Sequence, residues 1–182
     1  IKAGKRRMNR FYVIGLDDNM RQYFPPEILE IISSHRVFSG ACGIMDRTFA
    51  LARESGLDRY KSPVGRVFDR YRSYDGREAI VVFASGDPLF FGFAVTIQNR
   101  LPDAQIRLYP SFNSLQLLAQ NLLMLTTICG SSPLPDGLGT SSIVLIESAS
   151  KIGVLTDREH TPTTIARRML EYGYDNYTMF VG

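Results

Sequence analysis

Short apolar runs alternate along the chain with stretches whose apolar residues recur at helical spacing. The runs occupy residues 11–16, 36–39, 79–85, 105–110, 151–156 and 177–181. Unbroken hydrophobicity over so short a length is typical of strands that are covered on both faces. The sequence therefore predicts six strands, most of them in parallel sheets.

Four helices are predicted between and after these strands. The first begins at Pro26, a second follows the spacing of residues 89–101 and ends at Pro102, and a third follows Asn113 and Ser114, both good N-cap residues. The last shows the clearest boundary signals, with Thr161 as cap, Pro162 in the first turn and a stop at Gly173. Strand and helix in alternation predict an α/β fold.

The best candidate domain boundary lies at residues 110–113, where a strand ends and a helix begins. We expect an upstream extension over residues 1–7, with Met8 as the start, an N-terminal α/β domain over 8–112 and a C-terminal α/β domain over 113–182. The pattern alone allows two lobes with a cleft between them or one continuous sheet.

Composition narrows the class of protein. The 182 residues are 45% hydrophobic and 21% charged, with a net charge of +3. Such mild basicity lacks the clustered Lys and Arg of a nucleic-acid binder and suits an acidic small molecule equally well. Cys42 and Cys129 have no metal-site or disulfide spacing, which favours a cytoplasmic setting. No apolar run approaches the roughly 20 residues of a membrane span.

One turn combines several features of a ligand site. In "VVFASGDPLFFG" an apolar strand ends in Ser85, Gly86, Asp87 and Pro88. Ligands of open α/β sheets bind beyond the carboxyl ends of strands, and Gly86 allows close backbone approach. A capped strand-to-helix connection explains the turn equally well, with Asp87 as N-cap and Pro88 as the first helical residue.

Three further turns follow the same pattern, at residues 15–19, 110–114 and 155–162. Each is rich in small or polar residues, and each follows a predicted strand. Because the carboxyl ends of parallel strands lie at one edge of a sheet, such turns line a common cleft.

At these four turns the sequence resembles the tetrapyrrole (corrin/porphyrin) methylases. The ordered segments "VIGLDD", "ASGDPLFFG", "YPSFNSLQ" and "VLTDREHTPTTIARRMLEYGY" are most similar to the precorrin-6Y C5-methylase branch, the CbiE type or N-terminal half of CobL. The resemblance covers residues 8–124 and 150–182. It implies two α/β domains around a cofactor cleft, S-adenosyl-L-methionine as cofactor, a precorrin or cobalt-precorrin substrate and a homodimer.

The resemblance also implies roles for individual residues. Cofactor contacts are expected at the strand-end glycines and the residues around them: Gly15, Gly86, Asp87, Phe90, Asn113 and Ser114. The substrate carries carboxylates, which arginines bind through paired hydrogen bonds, so Arg47 and Arg66 are candidates, and Asp17 and Asp18 are candidates for substrate contact. A cluster of solvated arginines explains the same residues without a ligand.

No metal is expected. Asp157, Glu159 and His160 lie close together in sequence, but a helix-entry turn explains them better than a metal site. Nothing after Gly182 encodes a decarboxylating partner domain, so we expect C5 methylation alone, with a separate decarboxylating methylase as a possible partner.

Residues 125–147, "LTTICGSSPLPDGLGTSSIVLIE", depart from the family's pattern and have neither strand nor helix periodicity. Codons compatible with this segment, shifted by one base, encode Ser-Leu-Thr-Gly-Arg, as the family has there. Our hypothesis is a compensated frameshift, with disorder across the segment, and we expect the C-terminal domain to be incomplete.

The leading interpretation is therefore an S-adenosylmethionine-dependent methyltransferase of cobalamin biosynthesis. The alternatives are a related methylase acting on rRNA or protein, and an inactive remnant with an altered 125–147 segment. A dinucleotide-dependent oxidoreductase is disfavoured because no Gly-x-Gly-x-x-Gly follows the first strand.

Overall fold

The computed structural model describes residues 9–19, 21–41, 44, 58–60, 64–74, 77–126, 131–133 and 150–182. Its strands and helices follow in chain order: β1 (Arg10–Leu16), α1 (Pro26–Ser34), β2 (Val37–Ala41), β3 (Asp58–Tyr60), α2 (Val64–Ser73), β4 (Ile80–Ser85), α3 (Phe93–Arg100), β5 (Gln105–Tyr109), α4 (Ser114–Asn121), β6 (Ser131–Pro133), β7 (Gly153–Leu155) and α5 (Pro162–Glu171). The predicted α/β fold is confirmed.

The chain divides into two compact units, Ile1–Asn113 and Ser114–Gly182. This division falls one residue after the predicted limit of the N-terminal domain. Residues 1–8, with the expected start at Met8, lie outside the described part, as do most of residues 125–147, on which the frameshift hypothesis depends.

The first unit is built on a five-stranded sheet in which every pair of neighbouring strands is parallel. The strand order is β3-β2-β4-β1-β5. At the centre, Val13 of β1 pairs with Val82 of β4 on one side and Leu108 of β5 on the other. Since all strands run the same way, their carboxyl ends form one edge of the sheet.

Helices cover both faces of this sheet, as the unbroken apolar strands predict. On one face, Ile31 and Ile32 of α1 are buried in a cluster with Ile14 and Phe83. The ring of Phe83 stacks on that of Phe38, with centroids 6.0 Å apart. Burial on this face anchors α1 beneath the sheet.

The other face is covered by α2 and α3. Phe68 of α2 and Ile97 of α3 have no exposed surface and share a cluster with Val13 and Val82. β3 and α2 were not among the predicted elements. Neither was β6 of the second unit, so the disorder expected across residues 125–147 was wrong for residues 131–133.

A buried hydrogen bond fastens α2 to the sheet. The hydroxyl oxygens of Ser39 in β2 and Tyr71 in α2 are 2.6 Å apart. Asn9 adds a side-chain hydrogen bond from its amide nitrogen to the Tyr71 carbonyl. Buried polar groups of this kind are satisfied by each other, which avoids the cost of desolvation.

The second unit contains α4, β6, β7 and α5. β6 and β7 pair in parallel, with Ser131 opposite Gly153. α5 has the predicted boundaries: Thr161 Oγ1 accepts a hydrogen bond from the Thr164 amide, Pro162 opens the helix, and Gly173 follows its end with φ +83°.

The strand predicted at residues 177–181 was wrong. These residues have no regular secondary structure, and the side chains of Met179, Phe180 and Val181 are exposed. Within the described residues no strand forms backbone hydrogen bonds with this segment, so it is not part of a sheet. In the described part of the chain, no helix has the length and apolarity that a bilayer span requires.

Candidate functional site

Three strand-end turns lie side by side at the carboxyl edge of the five-stranded sheet. β1 lies between β4 and β5, with Leu16 opposite Ser85 and Ile14 opposite Tyr109. Five of the six residues predicted to contact a cofactor lie here: Gly15 near the end of β1, and Gly86, Asp87, Phe90 and Asn113 in the turns after β4 and β5. The sixth, Ser114, is assigned to the second unit. This edge is the candidate site.

Gly15 is the point on which the turns converge. It is buried, and a side chain there would collide with the carbonyl oxygen of Gly86 and come within 2.7 Å of the Ser111 amide nitrogen. Only a residue without Cβ lets both turns approach β1 so closely. Gly15 therefore holds the site together, and its contact with a cofactor stays a prediction.

Gly86 connects the turn after β4 to both of its neighbours. Its amide donates a 2.6 Å hydrogen bond to the Leu16 carbonyl oxygen. Its φ is +61°, and an added Cβ would lie 3.2 Å from Asn113 Cα and 3.4 Å from the Phe112 carbonyl oxygen. Glycine is needed here for its backbone conformation and for the close approach of the next turn.

Asp87 closes a tight turn instead of capping the following helix. Its Oδ1 accepts a 2.9 Å hydrogen bond from the Leu89 amide, and its carbonyl accepts one from the Phe90 amide. α3 begins only at Phe93, with Gly92 as N-cap. The expectation that Asp87 caps the helix and that Pro88 is its first residue was wrong, because the chain makes this additional turn first.

The remaining predicted cofactor contacts lie around this turn and at the start of α4. Phe90 is partly buried, and its ring meets that of Phe91 at a centroid distance of 4.9 Å. Asn113 is partly buried, and Ser114, the first residue of α4, is exposed. In the first unit, Gly15 of β1 thus adjoins two turns, one with Gly86, Asp87 and Phe90 and the other with Asn113.

The loop after β1 is organised by Asp17. The carboxylate accepts hydrogen bonds from the Asn19 amide at 2.9 Å and from Gln22 Nε2 at 2.6 Å. Asp18 beside it is exposed. The two predicted carboxylates therefore differ: Asp17 shapes the loop, and Asp18 faces solvent.

Of the two predicted arginines, Arg66 lies in the described part of the chain, and it is not brought to the centre of the site. Arg66 is exposed in the first turn of α2, which follows β3, and β3 is separated from β1 by two strands. Arg47 lies outside the described residues. In the same helix Arg72 forms an exposed ion pair with Asp69 at 3.2 Å, as the solvated-surface interpretation expects.

A group of polar side chains on the α1 face was missed at the sequence level. Glu27 Oε1 accepts hydrogen bonds from Arg107 at 2.7 Å and from the Tyr109 hydroxyl at 2.9 Å. Burial, followed by the hydrogen bond to Glu27, raises the pKa of Tyr109. These contacts join the start of α1 to β5, and their sequence separation leaves no local signal.

The turn before α5, in the second unit, is closed by Asp157. Its Oδ1 accepts hydrogen bonds from the Glu159 amide at 2.8 Å and the His160 amide at 2.6 Å, and the His160 ring lies 2.9 Å from Oδ2. The hydrogen bonds from His160, side chain first, lower the pKa of Asp157 to about 2. Within the described ranges no three metal-ligating side chains gather.

Relatives with known names are similar to this chain. Over 178 residues it is 28% identical to the cobalt-precorrin-7 C(5)-methyltransferase of Salmonella typhimurium, a match that covers 93% of this chain and 82% of the relative. A shorter match, 49% identical over 43 residues, relates it to the decarboxylating precorrin-6Y C(5,15)-methyltransferase of a Sinorhizobium species, and spans only 10% of that protein. No protein-family model matches the chain.

Solved structures share its fold. The precorrin-6Y methylase CbiE of Archaeoglobus fulgidus superposes with a TM-score of 0.68 at 15% identity, over 85% of this chain and 76% of that one. The uroporphyrin-III C-methyltransferase of Thermus thermophilus, solved with S-adenosylhomocysteine, gives a TM-score of 0.60 at 17% identity, over 92% of this chain and 74% of that one. The resemblance proposed from the four turns is confirmed: this chain has the tetrapyrrole methylase fold and is similar over nearly its whole length to a cobalt-precorrin-7 C(5)-methyltransferase.

Proposed function

We propose that this protein transfers a methyl group from S-adenosyl-L-methionine to C5 of a precorrin or cobalt-precorrin. The convergence of the Gly-Asp-Pro turn and the 111–113 turn on Gly15, at the carboxyl edge of the sheet, is the observation that carries the proposal. Ligands of parallel α/β sheets bind at this edge. The similarity to the Salmonella C(5)-methyltransferase supports the choice of reaction.

The residues at this edge suit a cofactor with ribose, amine and carboxylate groups. Asp87 uses Oδ1 to close its own turn, and among the described residues Oδ2 accepts no hydrogen bond. It is therefore available to a hydroxyl or ammonium group. Ser85, exposed at the end of β4, offers a hydroxyl as a further polar partner, and Ser114, the first residue of the second unit, stays a predicted contact.

The bound cofactor supplies an electrophilic methyl group on a sulfonium. Transfer of this group to carbon needs the two reactants held in line and kept from water, and alignment alone contributes about 7–11 kcal/mol in favourable cases. In the proposed reaction Gly15 and Gly86 hold the turns in fixed relation, while Asp87 orients the donor. Direct transfer of this kind forms no covalent intermediate with the protein, so it needs no nucleophilic side chain.

The proposal also includes the substrate contacts, the cellular location and the partners of the protein. Asp18, exposed beside the β1 turn, is a substrate contact, and Asp17 supports it through the loop. Arg66 and Arg47 meet substrate carboxylates. The enzyme acts as a cytoplasmic homodimer and works with a separate decarboxylating methylase.

Isothermal calorimetry with S-adenosylhomocysteine tests the cofactor site. We expect saturable binding, unaffected by NAD. A folded protein that does not bind S-adenosylhomocysteine contradicts the proposal and favours the inactive remnant. Incubation with S-adenosyl-L-methionine and cobalt-precorrin-7 then tests the acceptor, since transfer to rRNA or protein but not to the macrocycle would indicate the related methylase.

A further inference from the structure

Phe91 has a backbone conformation that its residue type does not favour. Among the described residues two non-glycine positions have positive φ, Phe91 at 50° and Leu123 at 52°. Leu123 comes just after the end of α4, where a left-handed residue commonly ends a helix. Phe91 precedes α3, so helix termination does not explain it.

The turn after β4 enforces this conformation. The Pro88 carbonyl oxygen accepts a 3.2 Å hydrogen bond from the Ala94 amide, and a side chain at Gly92 would collide with that carbonyl. The chain must therefore reverse direction between Pro88 and Ala94. The residue that precedes Gly92 accommodates the reversal.

The ring of Phe91 also contributes little to the packing of the fold. Of its surface 52% is exposed, and its contact with the Phe90 ring is edge-on. Leu89, two residues earlier in the turn, is 48% exposed. A left-handed backbone at a bulky residue and an apolar side chain left in water both reduce stability, and such strained positions cluster at functional sites.

The location identifies the kind of ligand. Phe91 belongs to the turn whose Gly86 lies against the Phe112–Asn113 backbone, and the Phe112 side chain is exposed as well. Exposed aromatic rings bind flat conjugated rings through stacking or edge contacts. Resting on the proposed function, we propose that Phe91 is a contact residue for the flat ring of a ligand, either the adenine of the methyl donor or the tetrapyrrole macrocycle.

Substitution of Phe91 separates ligand binding from folding. Phe91→Gly and Phe91→Asn remove the ring and place residues that tolerate positive φ. We expect both variants to melt no lower than the wild type and to bind at least one ligand tenfold more weakly or worse. Phe91→Tyr retains the ring and should bind normally. Leu123→Gly is the matched control, since it relieves the same backbone strain and should leave binding unchanged.

Two titrations identify the ligand. Weaker S-adenosylhomocysteine binding by calorimetry assigns Phe91 to the adenine, and weaker quenching of uroporphyrin III fluorescence assigns it to the macrocycle. Unchanged binding of both probes by Phe91→Gly and Phe91→Asn overturns the inference and leaves the proposed function standing. A wild-type protein that binds neither probe overturns both. Equal loss of binding in Leu123→Gly also contradicts a role specific to Phe91.

Discussion

Replacement of Gly86 by alanine should damage the site more than the fold. An alanine at φ +61° has a left-handed backbone, which costs about 1–2 kcal/mol relative to ordinary conformations. Its Cβ would lie 3.2 Å from Asn113 Cα, closer than ordinary contact, and 3.4 Å from the Phe112 carbonyl oxygen, at the lower limit of ordinary contact. Both of these atoms belong to the backbone and not to a flexible side chain, so the 112–113 turn must move by a few tenths of an ångström.

Gly173→Ala is the matched control for this experiment. Gly173 has φ +83°, and nothing lies within 4 Å of an added Cβ. It should therefore lose a similar 1–2 kcal/mol, roughly, of backbone free energy without moving any neighbour. The comparison separates conformational strain from displacement of the 112–113 turn.

Urea denaturation and calorimetry with S-adenosylhomocysteine measure the two effects. We expect both variants to fold, Gly86→Ala to be the less stable, and only Gly86→Ala to bind at least tenfold more weakly, equivalent to about 1.4 kcal/mol. Wild-type affinity in Gly86→Ala would refute the placement of the cofactor against this turn. An equal loss of affinity in Gly173→Ala would attribute the effect to general destabilisation.

Three other predictions test the contacts described above. Gly15→Ala forces a side chain against the Gly86 and Ser111 backbone, and overpacking should lower the unfolding free energy by about 1–3 kcal/mol in urea titrations. Tyr71→Phe leaves the buried Ser39 hydroxyl without its Tyr71 partner and should lower the unfolding free energy by about 1–3 kcal/mol. Adding Ser39→Ala should recover part of this loss. A double variant no more stable than Tyr71→Phe would contradict the hydrogen bond. Asp157 should titrate near pH 2 when its carboxyl group is followed by NMR. Because its pKa is lower in the folded state, Asp157 stabilises the fold above its unfolded pKa, and this stabilisation is lost as the pH falls through about 2. An ordinary pKa near 4 would refute the turn geometry.

Elements with strong local signals were predicted closely. β4 begins one residue after the predicted start and ends at the predicted Ser85, because its apolar residues are buried on both faces. α5 begins at Pro162 as predicted, since Thr161 and Pro162 act through neighbouring backbone groups. Boundary signals of this kind depend little on tertiary structure.

Elements that depend on distant partners were missed or misassigned. Val64, Val67, Phe68 and Tyr71 of α2 have helical spacing, but arginines between them favoured an interpretation as a basic surface. The segment 177–181 is apolar enough for a strand, and pairing, which its own residues do not encode, decides the outcome.

The same distinction holds for the site. The turn compositions predicted the candidate site, and parallel strand direction places the carboxyl ends of β1, β4 and β5 at one edge of the sheet. The sequence did not predict that Gly15 is in contact with two other turns, or that Asp87 closes a turn before α3. The first depends on how closely the neighbouring turns approach β1, and the second depends on where α3 begins. The residues of each turn do not by themselves determine either one.

One labelling experiment decides whether this protein methylates C5 of the macrocycle. The protein is incubated with S-adenosyl-L-methionine carrying a carbon-13 methyl group and with cobalt-precorrin-7, and the product is assigned by NMR. We expect one labelled methyl group, attached to C5 of the macrocycle. A folded protein that leaves the macrocycle unlabelled, or labels another carbon, would contradict it.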